Sequence, residues 1–145
     1  MSSEQTKRIV CGVDGSEPSK EALRWAVKYA ASVEGEVEAV IAWQYAGTYY
    51  DTVPMALHED GVRETLNTAI VQAVGVDPPV KVHPRMVIGD PSQVLINAAD
   101  GAELLVVGNR GHGVFTYALL GSVSSRCAHH ANCPVTVVRT PKKDD

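Results

Sequence analysis

No apolar run in the chain approaches the roughly 20 residues that a membrane-spanning helix needs, so a membrane protein is not expected. The opening MSSEQTKR has no apolar core, which argues against a secretory signal. An excess of cations is missing too. The formal net charge is -4, which argues against a nucleic-acid polymer or an anionic membrane as the main partner. Any anionic ligand must then be held by local groups and not by the overall field. Cysteine is scarce: Cys11, Cys127 and Cys133 are odd in number and show no C-x-x-C spacing, which fits buried small hydrophobes and a cytoplasmic address. Three signatures are also absent. There is no G-x-x-x-x-G-K-[ST], which excludes a P-loop ATPase, and no G-x-G-x-x-G after the first apolar run, which disfavours a dinucleotide dehydrogenase. The hydrolase elbow G-x-S-x-G is missing, and no internal repeat or low-complexity tract is visible.

What is present is an ordinary globular composition, with 45% apolar and 21% charged residues in 145. A chain of this length reads as one domain over 1–145, and folding hides roughly 70% of its surface. Short apolar, β-branched runs alternate with segments of helical period. Arg8–Val13 reads as a strand, with the turn cluster DGSEPS after it. Ser19–Val33 reads as a helix, with Ala22, Leu23, Ala26, Val27, Ala30 and Val33 on one arc, Ser19 as its N-cap and Gly35 as its stop. Glu36–Trp43 follows as a second strand. Residues 44–59 are irregular and aromatic-rich, with an early helix turn allowed in their second half. Asp60–Val74 is a second helix, Val80–Ile88 a third strand, and Pro91 opens a helix ending near Ala99. Leu104–Val107 is a buried strand, Ser122–Ala131 a fourth helix and Pro134–Arg139 a last strand. This alternation predicts an open, mostly parallel α/β sheet with helices on both faces and right-handed crossovers. Ligands in such sheets sit at strand carboxyl ends where the strand order reverses. DGS after the first strand and the glycine loop after the fourth should therefore meet across one crevice.

That loop is VVGNRGHGVFTYALLGSVSS, residues 106–125. Glycines let the backbone reach φ > 0 and let a ligand approach without a Cβ in the way. Gly108, Gly111 and Gly113 can present amides as a concave nest, and Gly121-Ser122 opens a helix whose free N–H groups and dipole favour anions. The hydroxyls of Ser122 and Ser124 can add donors. The pattern reads as a phosphate cradle without lysine, against the alternative of a turn-rich linker whose glycines serve packing only.

Gly108-x-x-Gly111, nine residues, then Gly121-Ser122 resembles the G-2x-G-9x-G-[S/T] signature of the nucleotide-binding branch of the universal stress protein family. GVDGS near the start and HHANCPVTVVR near the end resemble that family's terminal segments, so the likeness runs from about Arg8 to Arg139. The resemblance implies a five-stranded, doubly wound, Rossmann-like fold of the adenine nucleotide alpha hydrolase-like kind. It also implies ATP at the switch point, often with Mg2+ or Mn2+, and dimers. By the same resemblance Asp14 faces the ribose, Gly12 passes near the base, and backbone atoms of Ala42 and Trp43 read the adenine edge. Gly108 matches a ribose-side glycine. Gly111, His112, Gly113, Val114, Gly121, Ser122, Val123 and Ser124 would surround the phosphates, with Asn109 standing where Ser is frequent and acting through its backbone.

Several of these residues have plainer readings. Asp14 suits an Asx-turn in DGS. Arg110 either bridges phosphates or is a solvated loop arginine, and His112 either donates to phosphate or has no role. His129 and His130 are adjacent, point apart on a helix, and suit its C-terminal dipole better than a metal. Trp25 and Tyr29 read as packing residues. The expected function is that of a cytoplasmic ATP-binding stress or signalling module. The alternatives are a slow ATPase or nucleotide transferase, and a sensor of AMP or cyclic AMP. Val135, Val137 and Val138 carry no guarding charge, so at a sheet edge they would pair with a second copy of the chain.

Overall fold

The computed structural model describes residues 6–44, 54–109 and 121–140. Nine elements run in the order β1 (Arg8–Gly12), α1 (Glu17–Ser32), β2 (Glu36–Trp43), α2 (Met55–Val74), β3 (Val82–Ile88), α3 (Pro91–Ala98), β4 (Leu104–Gly108), α4 (Ser122–His130) and β5 (Val135–Val138). The five strands form one sheet in the order β3-β2-β1-β4-β5, and every pairing is parallel. The chain moves outward from β1 to β2 and β3, then returns to the other side of β1 for β4 and β5. The order therefore reverses between β1 and β4.

Two cores flank the sheet, as the period-2 alternation of each strand requires. Ile9, Cys11, Val37, Ala39, Ile41 and Val106 face α1 and α2, where Leu23, Ala26 and Leu66 close over them. Val10, Val40, Leu105 and Val107 face the opposite way, against Val94, Leu95 and Ala98 of α3 and Cys127 of α4. Leu104 to Val107 are all buried, as the unbroken apolarity of that run suggests. Among the described residues no helix is long and apolar enough to cross a membrane.

Three boundaries differ from those read in the sequence. Helix α1 starts at Glu17, not Ser19, because Ser16 in extended conformation caps it and accepts from the Ser19 amide. Pro18 lies in that first turn, where no N–H is required. The helix ends at Ser32, and Glu34 takes the left-handed conformation (φ 57°) that Gly35 was expected to supply. Gly35 answers a different need, since a Cβ there would lie 2.7 Å from the Lys7 carbonyl oxygen. Helix α2 begins five residues before Asp60, following Pro54; its first turns are largely exposed and carry no apolar period to read. The remaining ends agree within two residues.

Candidate functional site

At the point where the strand order reverses, the carboxyl ends of β1 and β4 open into a cavity of about 310 Å³. Gly12, Val13 and Asp14 from β1 and its turn line it, with Ser19 of α1, Val40 and Ala42 of β2, and Pro91 and Leu95 of α3. Val107 and Gly108 of β4 and Gly121 to Ser124 at the start of α4 complete the wall. The volume falls at the lower end of the range for small-molecule and cofactor sites. The two turn-rich strand ends meet in one crevice.

The polar groups concentrate at two places. The first is the start of α4. Gly121 is its N-cap, extended at φ -63° and ψ 160°, and has no side chain to cap the helix. The N–H groups of Ser122, Val123 and Ser124 have no intrahelical acceptor, and the helix dipole gathers about half a positive charge there. The Gly121 amide is already taken, donating to the Asn109 carbonyl at 2.7 Å. Ser124 is buried, and its hydroxyl donates to the Gly121 carbonyl at 3.0 Å. That hydroxyl holds the turn together instead of adding a donor to the cavity. Ser122 is exposed and lines the cavity.

The second place is Asp14. Gly15 takes φ 87°, a conformation that permits the sharp turn after β1. Ser16 donates from its amide to Asp14 Oδ1 at 2.9 Å and from its hydroxyl to the same oxygen. The Asx-turn reading of Asp14 is therefore correct as geometry, and the residue lines the cavity as well. It is the only charged residue among the described lining. A carboxylate repels phosphate and accepts from hydroxyls, so Asp14 and the start of α4 suit different parts of one ligand. Val40, Ala42 and Leu95 also line the cavity and offer apolar walls to a flat ring.

Asn109 is half-buried and not among the lining residues; its polar groups hold protein segments together. Its amide donates to the Val138 carbonyl at 3.0 Å, its carbonyl accepts from Gly121, and its side-chain oxygen accepts from the Thr140 amide at 3.3 Å. Trp43 lies on the other face of the sheet from Ala42, in a groove against Leu57, Gly61 and Val62 of α2. Its carbonyl accepts from the Gly89 amide at 2.9 Å. Arg110, Gly111, His112, Gly113 and Val114 lie outside the described residues.

Two glycines owe their identity to close packing at this site. A Cβ on Gly108 would fall 2.8 Å from the Pro18 carbonyl oxygen, in the backbone of α1's first turn. A Cβ on Gly12 would come 2.7 Å from Leu95 Cδ1, so α3 sits directly over β1. Val13, Ser19, Val40, Pro91, Leu95 and Val107 were not singled out from the sequence. Two signals point to some of them: Val40 shares a strand face with Ala42, and Pro91 and Leu95 stand four apart on α3. His129 and His130 are exposed with rings 6.3 Å apart, and His129 Nδ1 lies 2.8 Å from the Ser125 carbonyl oxygen. No cluster of three His, Cys, Asp or Glu that could hold a metal occurs among the described residues.

Residues 5–139 match the universal stress protein family. A universal stress protein of Methanocaldococcus jannaschii is 33% identical over 147 residues, covering 95% of this chain and 85% of that protein. One from Mycolicibacterium smegmatis is 32% identical over 90% of this chain, which spans only 47% of that longer relative. This chain thus spans about half the length of several of its mycobacterial relatives. Among solved structures, a universal stress protein in complex with cAMP superposes with a TM-score of 0.73 at 27% identity, covering 93% of this chain and 98% of that one. With the family matched across nearly all of its length and the parallel α/β architecture shared, the chain belongs to the universal stress protein family.

Proposed function

We propose that the protein binds an adenine nucleotide in the crevice between β1 and β4, with ATP as its ligand, and serves as a cytoplasmic stress-signalling module. One observation carries this reading: an uncapped helix N-terminus, a carboxylate and apolar walls line one cavity at the point where the strand order reverses. The Ser122, Val123 and Ser124 amides suit phosphate, Asp14 suits the ribose hydroxyls, and Val40, Ala42 and Leu95 suit the base. The chain from 110 to 120, with Gly111 and Gly113, would extend the cradle along a triphosphate. Mg2+ or Mn2+ would rest on phosphate oxygens.

Binding without rapid turnover is part of the proposal. Amides that hold ground and transition states alike do not accelerate chemistry, and phosphate release should stay well below about 1 s⁻¹. The relative solved with cAMP supports a second reading, in which AMP or cyclic AMP occupies the same place.

Calorimetric titration of ATP, AMP and cyclic AMP into the wild type, Gly121→Val and Asp14→Ala tests both readings. The backbone of Gly121 is open to any residue at φ -63°, so the valine acts by filling space at the helix start. It should cost roughly 2–4 kcal/mol in ATP binding, where 1.4 kcal/mol is tenfold, and Asp14→Ala should cost less. Full ATP affinity in a folded Gly121→Val variant would defeat the phosphate placement. Tighter binding of cyclic AMP than of ATP would select the second reading.

A further inference from the structure

Asp14 enters the cavity from a turn whose polar groups act on one another. The Ser16 amide and the Ser16 hydroxyl both donate to Asp14 Oδ1. The same hydroxyl oxygen accepts from the Ser19 amide at 3.3 Å, which is the N-cap bond of α1. Ser19 Oγ in turn accepts from the Asp14 amide at 3.3 Å and donates to the Ser16 carbonyl at 2.9 Å. A hydroxyl carries one hydrogen. With an Oγ lone pair engaged by the Ser19 amide, the hydrogen of Ser16 is left aimed at the carboxylate. The cap that starts α1 therefore also sets the orientation of the acid lining the cavity.

We propose that Ser16 is a positioning residue that makes the site selective for nucleotides bearing free ribose hydroxyls. This rests on the adenine-nucleotide reading and adds to it. A carboxylate held firmly beforehand loses less rotamer freedom when a sugar hydroxyl donates to it than one held by fewer bonds. Ser16 touches no ligand in this scheme; it acts through Asp14. Losing its hydroxyl should weaken ligands that use Asp14 and leave unchanged those that do not.

The test uses two nucleotides, ATP and 2′,3′-dideoxy-ATP, titrated into wild type, Ser16→Gly, Ser16→Thr and Asp14→Ala. Glycine is nearly as good an N-cap as serine but has no hydroxyl, so Ser16→Gly separates positioning from capping. Unfolded chains bind neither nucleotide, so the ratio of the two affinities is unaffected by partial unfolding of a variant. Wild type should prefer ATP about tenfold, Ser16→Thr should keep that preference, and Ser16→Gly should reduce it to about threefold or less with dideoxy-ATP affinity unchanged. Asp14→Ala should abolish it. An undiminished preference in Ser16→Gly overturns the proposal, as does an equal loss for both nucleotides, which would mark a capping effect only. If wild type binds both equally, the sugar selectivity is refuted while nucleotide binding stands. If wild type binds neither, the nucleotide reading itself fails and takes this inference with it.

Discussion

At the residue scale, the glycines divide into those that serve the chain and those left for a ligand. Gly108 is the clearest of the first kind, because its missing Cβ leaves room for the Pro18 backbone. Backbone in a helix's first turn yields little, so Gly108→Ala should destabilise the fold by about 1–3 kcal/mol, read as a lowered melting temperature. Gly12→Ala should cost less, since the opposing atom is the end of the Leu95 side chain, which can rotate away. The cysteines sort by burial in the same manner. Burial raises the Cys11 thiol far above its ordinary range and pushes Cys127 up to about 11, and partial burial raises the half-buried Cys133 as well. Only the thiolate reacts. A thiol reagent at pH 8 should therefore modify Cys133 first in the native protein and reach all three only in denaturant. Simultaneous labelling of Cys11 would contradict the packing around β1. The buried reading of the three cysteines came from residue type and count, and it holds for Cys11 and Cys127 but not for the half-buried Cys133. The packing role of Gly108 was not legible in the sequence, because its partner Pro18 is ninety residues distant and only the sheet brings them together.

At the element scale, helix starts carry most of the specificity. The three helices α1, α3 and α4 begin with Ser16, Asp90 and Gly121, and only the first two are capped by their own side chain. Asp90 accepts from the Ser92 hydroxyl at 2.7 Å and the Gln93 amide at 3.1 Å, and these bonds hold its carboxyl below the ordinary aspartate value. A lowered folded pKa means stabilisation that is complete above the unfolded value of about 3.9 and is lost as pH falls through the folded one. The melting-temperature gap between wild type and Asp90→Ala should therefore be widest above about pH 4 and narrow on acidification; a constant gap would show that the charge contributes nothing. Helix α2, following Pro54, and helix α4 both lack a side-chain cap, and of the two only the start of α4 lines the β1–β4 cavity. Asn109 binds this helix start to β5 and Thr140. Asn109→Ala keeps both backbone bonds and should cost about 1 kcal/mol for the lost Thr140 bond, visible as a small drop in denaturation midpoint. The elements themselves were legible because strand and helix periods differ. Their ends were less so: the early start of α2 leaves no periodic trace, and the exchange of roles between Glu34 and Gly35 depends on Lys7, which is distant in sequence.

At the scale of the whole molecule, the reversal of strand order between β1 and β4 decides where a ligand can sit, and the two edges differ in how they meet solvent. The β3 edge carries His83, Pro84 and Arg85, all exposed, with His83 2.8 Å from Glu36 and Arg85 3.3 Å from Glu38. Proline and charge keep another strand from pairing there. The β5 edge is Val135–Val138 with no charge, and its residues are half-buried by the protein's own cores. Pairing of two β5 strands about a two-fold axis is therefore the proposed assembly, and sedimentation at micromolar concentration should give the mass of two chains. A single-chain mass would reject it. The strand order could not be read from the sequence, which shows that elements alternate but not which side of β1 receives β4.

If an adenine nucleotide lies across the β1–β4 crevice with its phosphates on the start of α4, amide resonances under ATP titration will register it residue by residue. The N–H signals of Ser122, Val123 and Ser124 should shift strongly and saturably together with those near Gly12 and Val40, while Leu57, Gly61 and Thr65 beside the groove on the opposite face stay fixed. Shifts confined to that opposite groove, or none at the start of α4 at saturating ATP, would contradict that placement.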